Sequence, residues 1–170
     1  MALMSDEMVD DEKVALLSHL NAQRHHVLGS LDGLSEADLR RPVLPSGWSC
    51  LGLVQHLALD VERFWFRALV AGETVDLRSG AEAWQVLTQV SSRSVFASYR
   101  EEIRLADAVI TRTSLDAMPL WWPPDLAEQM APQVLRRTVL HVITETACHA
   151  GHLDAARELL DGGTWLILTD

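Results

Sequence analysis

Four long stretches of helix-spaced apolar residues, separated by glycine- and proline-bearing breaks, constrain this chain more than any other feature. The first, VALLSHLNAQRHHVLGSLDGL, carries leucines at three- and four-residue spacing and ends near Gly33. Ser35 opens a short turn, SEADLRR, with Asp38 three residues on as a loose capping box. A loop holding Pro42, Pro45 and Gly47 follows. Ser49 then caps the second long helix, CLGLVQHLALDVERFWFRALVAG, which stops near Gly72. The polar ETVDLRSG leads into a third helix, expected over roughly residues 81–113 although the serines of SSRS interrupt its pattern. Next comes an irregular segment, SLDAMPLWWPPDLAEQMAP, with four of the six prolines. The last helix is expected from about Gln133 to Leu160, closed by Gly162-Gly163. The spacing thus predicts an all-α fold: a four-helix bundle, one domain over residues 1–170, with one irregular loop between the third and last helices.

Composition narrows the function. The chain has 170 residues, 48% of them hydrophobic, enough for a proper core and too apolar for disorder. With 24 acidic against 14 basic residues the formal charge is −10, opposite in sign to what a phosphate backbone recruits. Arg40-Arg41 and Arg136-Arg137 are isolated pairs, so nucleic acid is not an expected partner. Lys13 is the only lysine, which removes most options for lysine-based covalent chemistry. No apolar run reaches the roughly 18–20 residues of a membrane span. The start, MALMSDEMVDDEK, lacks the pattern of a signal peptide, and the two cysteines, Cys50 and Cys148, make no disulfide framework. The expected location is the cytoplasm.

Residues 141–152, HVITETACHAGH, place four titratable side chains in what otherwise reads as buried helix. At about 100° per residue, His149 lies about +40°, His152 about −20° and His141 about −40° from Glu145, so all four share one face. A buried, unpaired carboxylate costs several kcal/mol or takes up a proton. A metal ion is one compensation, since Glu145 and His149, one turn apart, can reach the same cation. The best third ligand is His56, which shares a face with Leu53, Asp60 and Phe64 in an apolar setting. His56, Glu145 and His149 would form the His₂Glu set that catalytic zinc uses with a position left open. The competing reading makes His56 a hydrogen-bonded core histidine and the Glu145–His149 pair a solvated i,i+4 contact. Neither the H-E-x-x-H motif nor a paired E-x-x-H is present.

Two segments add a resemblance to these readings. GWSCLGLVQHLALDVERFWFRALVAGE resembles the second helix of the DinB-like superfamily, and HVITETACHAGHLDAARELLDG resembles its last helix. The likeness is closest to the small single-domain proteins that include mycothiol-dependent S-transferases. It implies a DinB-like four-helix bundle binding one divalent metal, zinc or alternatively nickel, through His56, Glu145 and His149. Many relatives carry histidine at the position of Glu145, while the isomerase-type site of the superfamily resembles this one in using glutamate. Thr144 and Cys148 stand where relatives often carry charged residues. Maleylpyruvate isomerisation is not part of the expectation, because the residues here correspond to the metal-binding domain alone. Relatives are often dimers, and a homodimer is the expected assembly.

The implied activity is thiol transfer. A free thiol has a pKa of about 8.5, which falls sharply beside a metal. A low-molecular-weight thiol, mycothiol by resemblance, would attack a small electrophile, with His152 relaying a proton. For His152 the other readings are support of a metal ligand or a plain surface histidine, and His141 is expected to be structural. A water on the same metal would give a hydrolase, and a closed, four-coordinate ion would mark a non-catalytic metal-binding stress-response protein.

The remaining polar and aromatic features have simpler expectations. Cys148 is turned away from the ligand face and is expected to be buried and structural. Cys50 is expected to be a packed small residue, the other reading being a thiol whose pKa is lowered by the nearby helix start. His25 and His26 should point one inward and one outward, and Arg63 and Arg67 should form solvated salt bridges, with an anionic substrate as the alternative partner. Trp121 and Trp122 either cover a pocket mouth or pack onto the bundle. SDEMVDDE is expected as a solvated helix start, and the apolar tail TWLILTD as a segment packing back on the body.

Overall fold

Serine hydroxyls begin three of the helices, each accepting a hydrogen bond from the backbone N–H three residues on: Ser35 from Asp38, Ser49 from Gly52 and Ser91 from Ser94. This computed structural model describes residues 2–78 and 80–165, with side chains from residue 11 onward. Among the described residues every regular element is helical: α1 (Ala2–Ser30), α2 (Glu36–Arg40), α3 (Cys50–His56), α4 (Ala81–Trp84), α5 (Ser92–Arg112), α6 (Pro124–Gln129) and α7 (Leu135–Asp161). Helix α3 runs without a break into a π-helical stretch, Leu57–Val70. Its wider turn is visible at the end, where the Ala71 N–H donates to the Phe66 carbonyl five residues back at 3.0 Å. Among the described residues no helix is long and apolar enough to cross a membrane.

The expected caps and stops stand, with Gly162 closing α7 in the left-handed conformation (φ +75°) that glycine adopts without a Cβ clash. Three boundaries differ from the periodicity. Helix α1 begins at Ala2, twelve residues ahead of the leucine pattern. The third helix is split: α4 covers only Ala81–Trp84, Gln85 turns extended, and α5 starts afresh behind the Ser91 cap. The serines that interrupted the pattern are therefore a new helix start, not a blemish within one helix. The irregular segment contains α6, for which Pro124 supplies a preset first-turn φ at no cost in hydrogen bonding.

The core gathers the apolar faces of four long helical runs. Helix α1 packs along α7, the π-stretch lies against α5 and α7, and α3 also touches α5. Leu20, Val27, Leu53, Leu57, Phe66, Ile110, Val139 and Leu153 are fully buried there. Burial of such side chains stabilises by about 1.5–3 kcal/mol each. Trp165, at the start of the apolar tail, does pack back, with its ring 5.7 Å from His25 and 6.2 Å from His26. Residues 166–170 of that tail, and the side chains of 5–10 in the acidic run, lie outside the described residues. Glu12, the end of that run, pairs with Arg136 on α7 at 2.6 Å.

Charge also enters the core. Glu62 is fully buried, and its two oxygens accept from Arg24 Nε at 2.7 Å and Nη2 at 2.6 Å. Arg24 reaches on to Asp107 of α5 at 2.7 Å, so one guanidinium joins α1, the π-stretch and α5. Burial pushes the Glu62 carboxyl above its usual range, and Arg24 opposes that rise. Burial works against the Arg24 charge too, but Glu62 and Asp107 outweigh it and raise the guanidinium pKa. The geometry decides the state: both Glu62 oxygens face N–H donors, leaving no room for a carboxyl proton between them, and the pair is ionic. On the neighbouring turn, Arg63 and Arg67 hold the buried Glu102 at 2.7 and 3.1 Å, which meets the expectation of salt bridges.

Removing one partner strands a buried charge, which typically costs about 3–5 kcal/mol, whereas apolar replacement of both is close to neutral. Arg24→Met should therefore lower the urea midpoint steeply, and R24M/E62L should regain most of the loss. A single variant as stable as wild type would show that the pair does not anchor these helices.

Candidate metal centre

Two helices present the donors. His56 ends the α-helical part of the second long run, while Glu145 and His149 sit one turn apart on α7. One ligand atom from each lies within 4.8 Å of the others, so the three can hold a single metal ion. The imidazoles of His56 and His149 meet edge to face at 5.1 Å. His149 Nε2 is 3.4 Å from a Glu145 oxygen, and its Nδ1 is buried with no protein partner. Such an arrangement of converging lone pairs fits a cation better than it fits the protein alone.

The surroundings support that fit. His56 Nδ1 bonds to Asp60 at 2.9 Å, one turn on, which fixes the ring and leaves Nε2 as the free nitrogen. Carboxylate-held histidine is the usual outer support of a metal ligand. Burial, then the proximity of His56, lowers the His149 pKa below its ordinary value, against the pull of Glu145. At neutral pH His149 is thus neutral, the form whose lone pair can bind a metal.

An aromatic wall closes one side. The Trp84 indole stacks on His56 at 4.2 Å and 17°, and meets His149 at 5.7 Å. Its position comes from α3: the Gln55 amide donates to the carbonyls of Glu82, Ala83 and Gln85, at 2.8 Å to Ala83. Close approach also needs a glycine, because a Cβ on Gly52 would lie 2.3 Å from the Trp84 carbonyl oxygen. His152 is exposed, its ring 5.5 Å from His149 and 6.2 Å from Trp48. His141, two turns before His149, leaves the triad and packs on Trp65 at 4.3 Å.

Other expectations resolve as follows. Cys148 is exposed, not buried: the turn that takes it off the ligand face takes it to solvent, since α7 buries Thr146 and Ala150 on its inner side. Cys50 is buried, and burial pushes its thiol up to about 11, overriding the helix start. His25 is exposed, while His26 is half-buried and bonded to Asp154 at 2.7 Å. Trp122 packs on Trp65 and donates its indole N–H to the Met130 carbonyl at 3.1 Å; Trp121 is 41% exposed and lines a separate cavity. Sequence reading missed Trp84 as a neighbour of the site and noted Asp60 without a role. The i,i+4 spacing of His56 and Asp60 was the available signal for Asp60, and no local pattern announces Trp84.

Comparisons with curated proteins and with solved structures each found no match. The model of the family described as Mycothiol-S-transferase matches residues 15–162, a span that includes His56, Glu145 and His149. By that match the chain belongs to the mycothiol-S-transferase family, a DinB-like family.

Proposed function

We propose that this protein is a metal-dependent S-transferase that activates a low-molecular-weight thiol, mycothiol, for attack on a small electrophile. The observation carrying the reading is the convergence of His56, Glu145 and His149 in a chain of this family. His₂Glu is a donor set of catalytic zinc, so zinc is the metal assigned, with nickel the alternative. Among the described residues three side chains converge and no fourth joins them, which favours a site open to a ligand over a closed structural one. The reading takes the long helices as the DinB-like four-helix bundle, one domain over residues 1–170. It also places the protein in the cytoplasm as a homodimer; two free cysteines suit a reducing compartment.

A divalent metal held here supplies positive charge that lowers the pKa of a bound thiol from about 8.5. The chain supplies the rest. Asp60 holds the His56 ring in place, and Trp84 covers it and keeps water off that face. His152, one turn beyond His149 and open to solvent, accepts the thiol proton. The sulfur lone pair then forms the C–S bond, and the displaced electron pair goes to the electrophile's leaving group or conjugated oxygen. His152 returns its proton there or to water. A hydrolase on the same site would need no thiol, and thiol dependence separates the two.

Elemental analysis should find about one equivalent of zinc or nickel in the untagged protein and none in the Glu145→Ala, His149→Ala double variant. A wild type that takes up no metal, even when ions are supplied, ends the catalytic reading. Asp60→Ala should weaken metal affinity by roughly 10- to 100-fold in competition with a chelator; unchanged affinity would leave Asp60 without a supporting role. His152→Ala should keep its metal and lose about 10²- to 10⁴-fold in turnover, with the low-pH limb of the pH profile altered. An unaltered profile would make His152 a surface residue.

A further inference from the structure

A cavity of about 450 Å³ runs along the first half of α7, with Trp65 of the second long helix in its wall and none of the three candidate ligands among its lining residues. Trp65, Met130, Leu140 and His141 form much of its wall, with Arg137 at its margin and Thr144 next to Glu145. His141 and Thr144 precede Glu145 by four and one residues, a displacement along α7 of about 6 Å and about 1.5 Å. The His141–Thr144 end of this cavity therefore lies within about one helical turn of Glu145 along α7.

Its polar groups are unequally committed. The Thr138 and Thr144 hydroxyls donate to the carbonyls of Val134 and Leu140 four residues back. Gln133 donates to the Ala131 carbonyl at 2.7 Å. Arg137 is exposed and has neither a carboxylate nor a carbonyl partner among the described residues. The contrast with its neighbour is sharp, since Arg136 is held by Glu12 and Asp116. Arg137 thus leaves a guanidinium unpaired at the edge of an indole-, leucine- and methionine-lined cavity, in a chain of charge −10. A sugar-bearing thiol, rich in hydroxyls, finds few free donors or acceptors there. A flat apolar body ending in a carboxylate finds an aromatic wall and one forked cation.

Resting on the thiol-transferase reading above, we propose that this cavity is the electrophile subsite and that Arg137 selects acceptors carrying a carboxylate on an apolar body. The thiol takes the metal side of the cleft and the acceptor the Trp65–His141 side, so sulfur and carbon meet near Thr144 and Glu145. Arg137 is a specificity-determining residue, apart from the metal ligands and from His152.

The test compares trans-cinnamate with cinnamamide, equal in shape and differing in charge, by calorimetry on the full-length protein as isolated. One charge-assisted contact predicts roughly tenfold or greater preference for the acid. Arg137→Leu should erase the preference while leaving amide binding unchanged, and Arg137→Lys should keep part of it. Equal binding of acid and amide by wild type overturns the assignment. So does a preference that survives in Arg137→Leu, which would place the carboxylate on the metal instead. Metal content measured on the same samples keeps the two readings apart. Metal without acid preference removes the subsite alone, and acid preference in a metal-free protein removes the transferase reading on which it was built.

Discussion

The ionic contact between Arg24 and Glu62 decides how the second long helix is turned, and the candidate site follows from that. Glu62, Arg63 and Arg67 all commit to partners on α1 and α5. With that side pinned by charge, the opposite side of the same helix must face α7. His56 and Trp65 are there, against His149 and His141. A purely apolar core would tolerate small rotations of this helix with little change in buried area. A bidentate ion pair does not, because rotation separates charges that have already lost their water. The π-helical stretch contributes to the same end. It starts one residue past His56, so this candidate ligand stands at the seam between two helical geometries, where wider turns are often found near function.

The third wall of the site depends on contacts that are weak singly and specific together. Helix α4 is four residues long, far too short to be stable alone. Gln55, adjacent to the candidate ligand His56, holds its carbonyls, and the missing side chain at Gly52 lets them come close. Trp84 is thereby laid flat on His56 from a segment with no helical stability of its own. The hydrophobic stack in turn limits water around the donors, which strengthens any electrostatic interaction with a bound cation.

How far the sequence revealed this depended on regularity. On α7 the 3.6-residue period holds throughout, and the alignment of Glu145 with His149 came directly from spacing. The same geometry correctly removed Cys148 from the ligand face but could not say whether the other face was covered, and it is open. Ser49 and Gly162 marked helix ends because capping is local chemistry. The third helix misled for the same reason that local signals elsewhere succeeded. Apolar spacing in AEAWQVLTQV reads as helix, whereas tertiary contacts to Gln55 and His56 draw residues 81–84 away from α5. Tertiary context overrode propensity there. The pairing of His56 with Glu145 and His149 joins positions about ninety residues apart, and it rested on chemical complementarity and on a family likeness, not on any local pattern.

Charge accounting links the two halves of the cleft. Glu145 brings the only carboxylate to the triad, and His149 is held neutral by burial. A divalent cation bound by one carboxylate and neutral imidazoles keeps a net positive charge, which favours an anionic sulfur over a neutral ligand. Histidine in place of Glu145 would leave that charge higher and draw any anion more strongly, including the carboxylate of an acceptor. On the proposed reading the glutamate would temper the competition that an acidic acceptor poses to the thiol. Arg137, about two helical turns from Glu145 along α7, offers such an acceptor a separate cation at the far end of the cavity. One negative charge at the metal and one unpaired positive charge at the margin would then sort two anions into two places, the sulfur inward and the carboxylate outward.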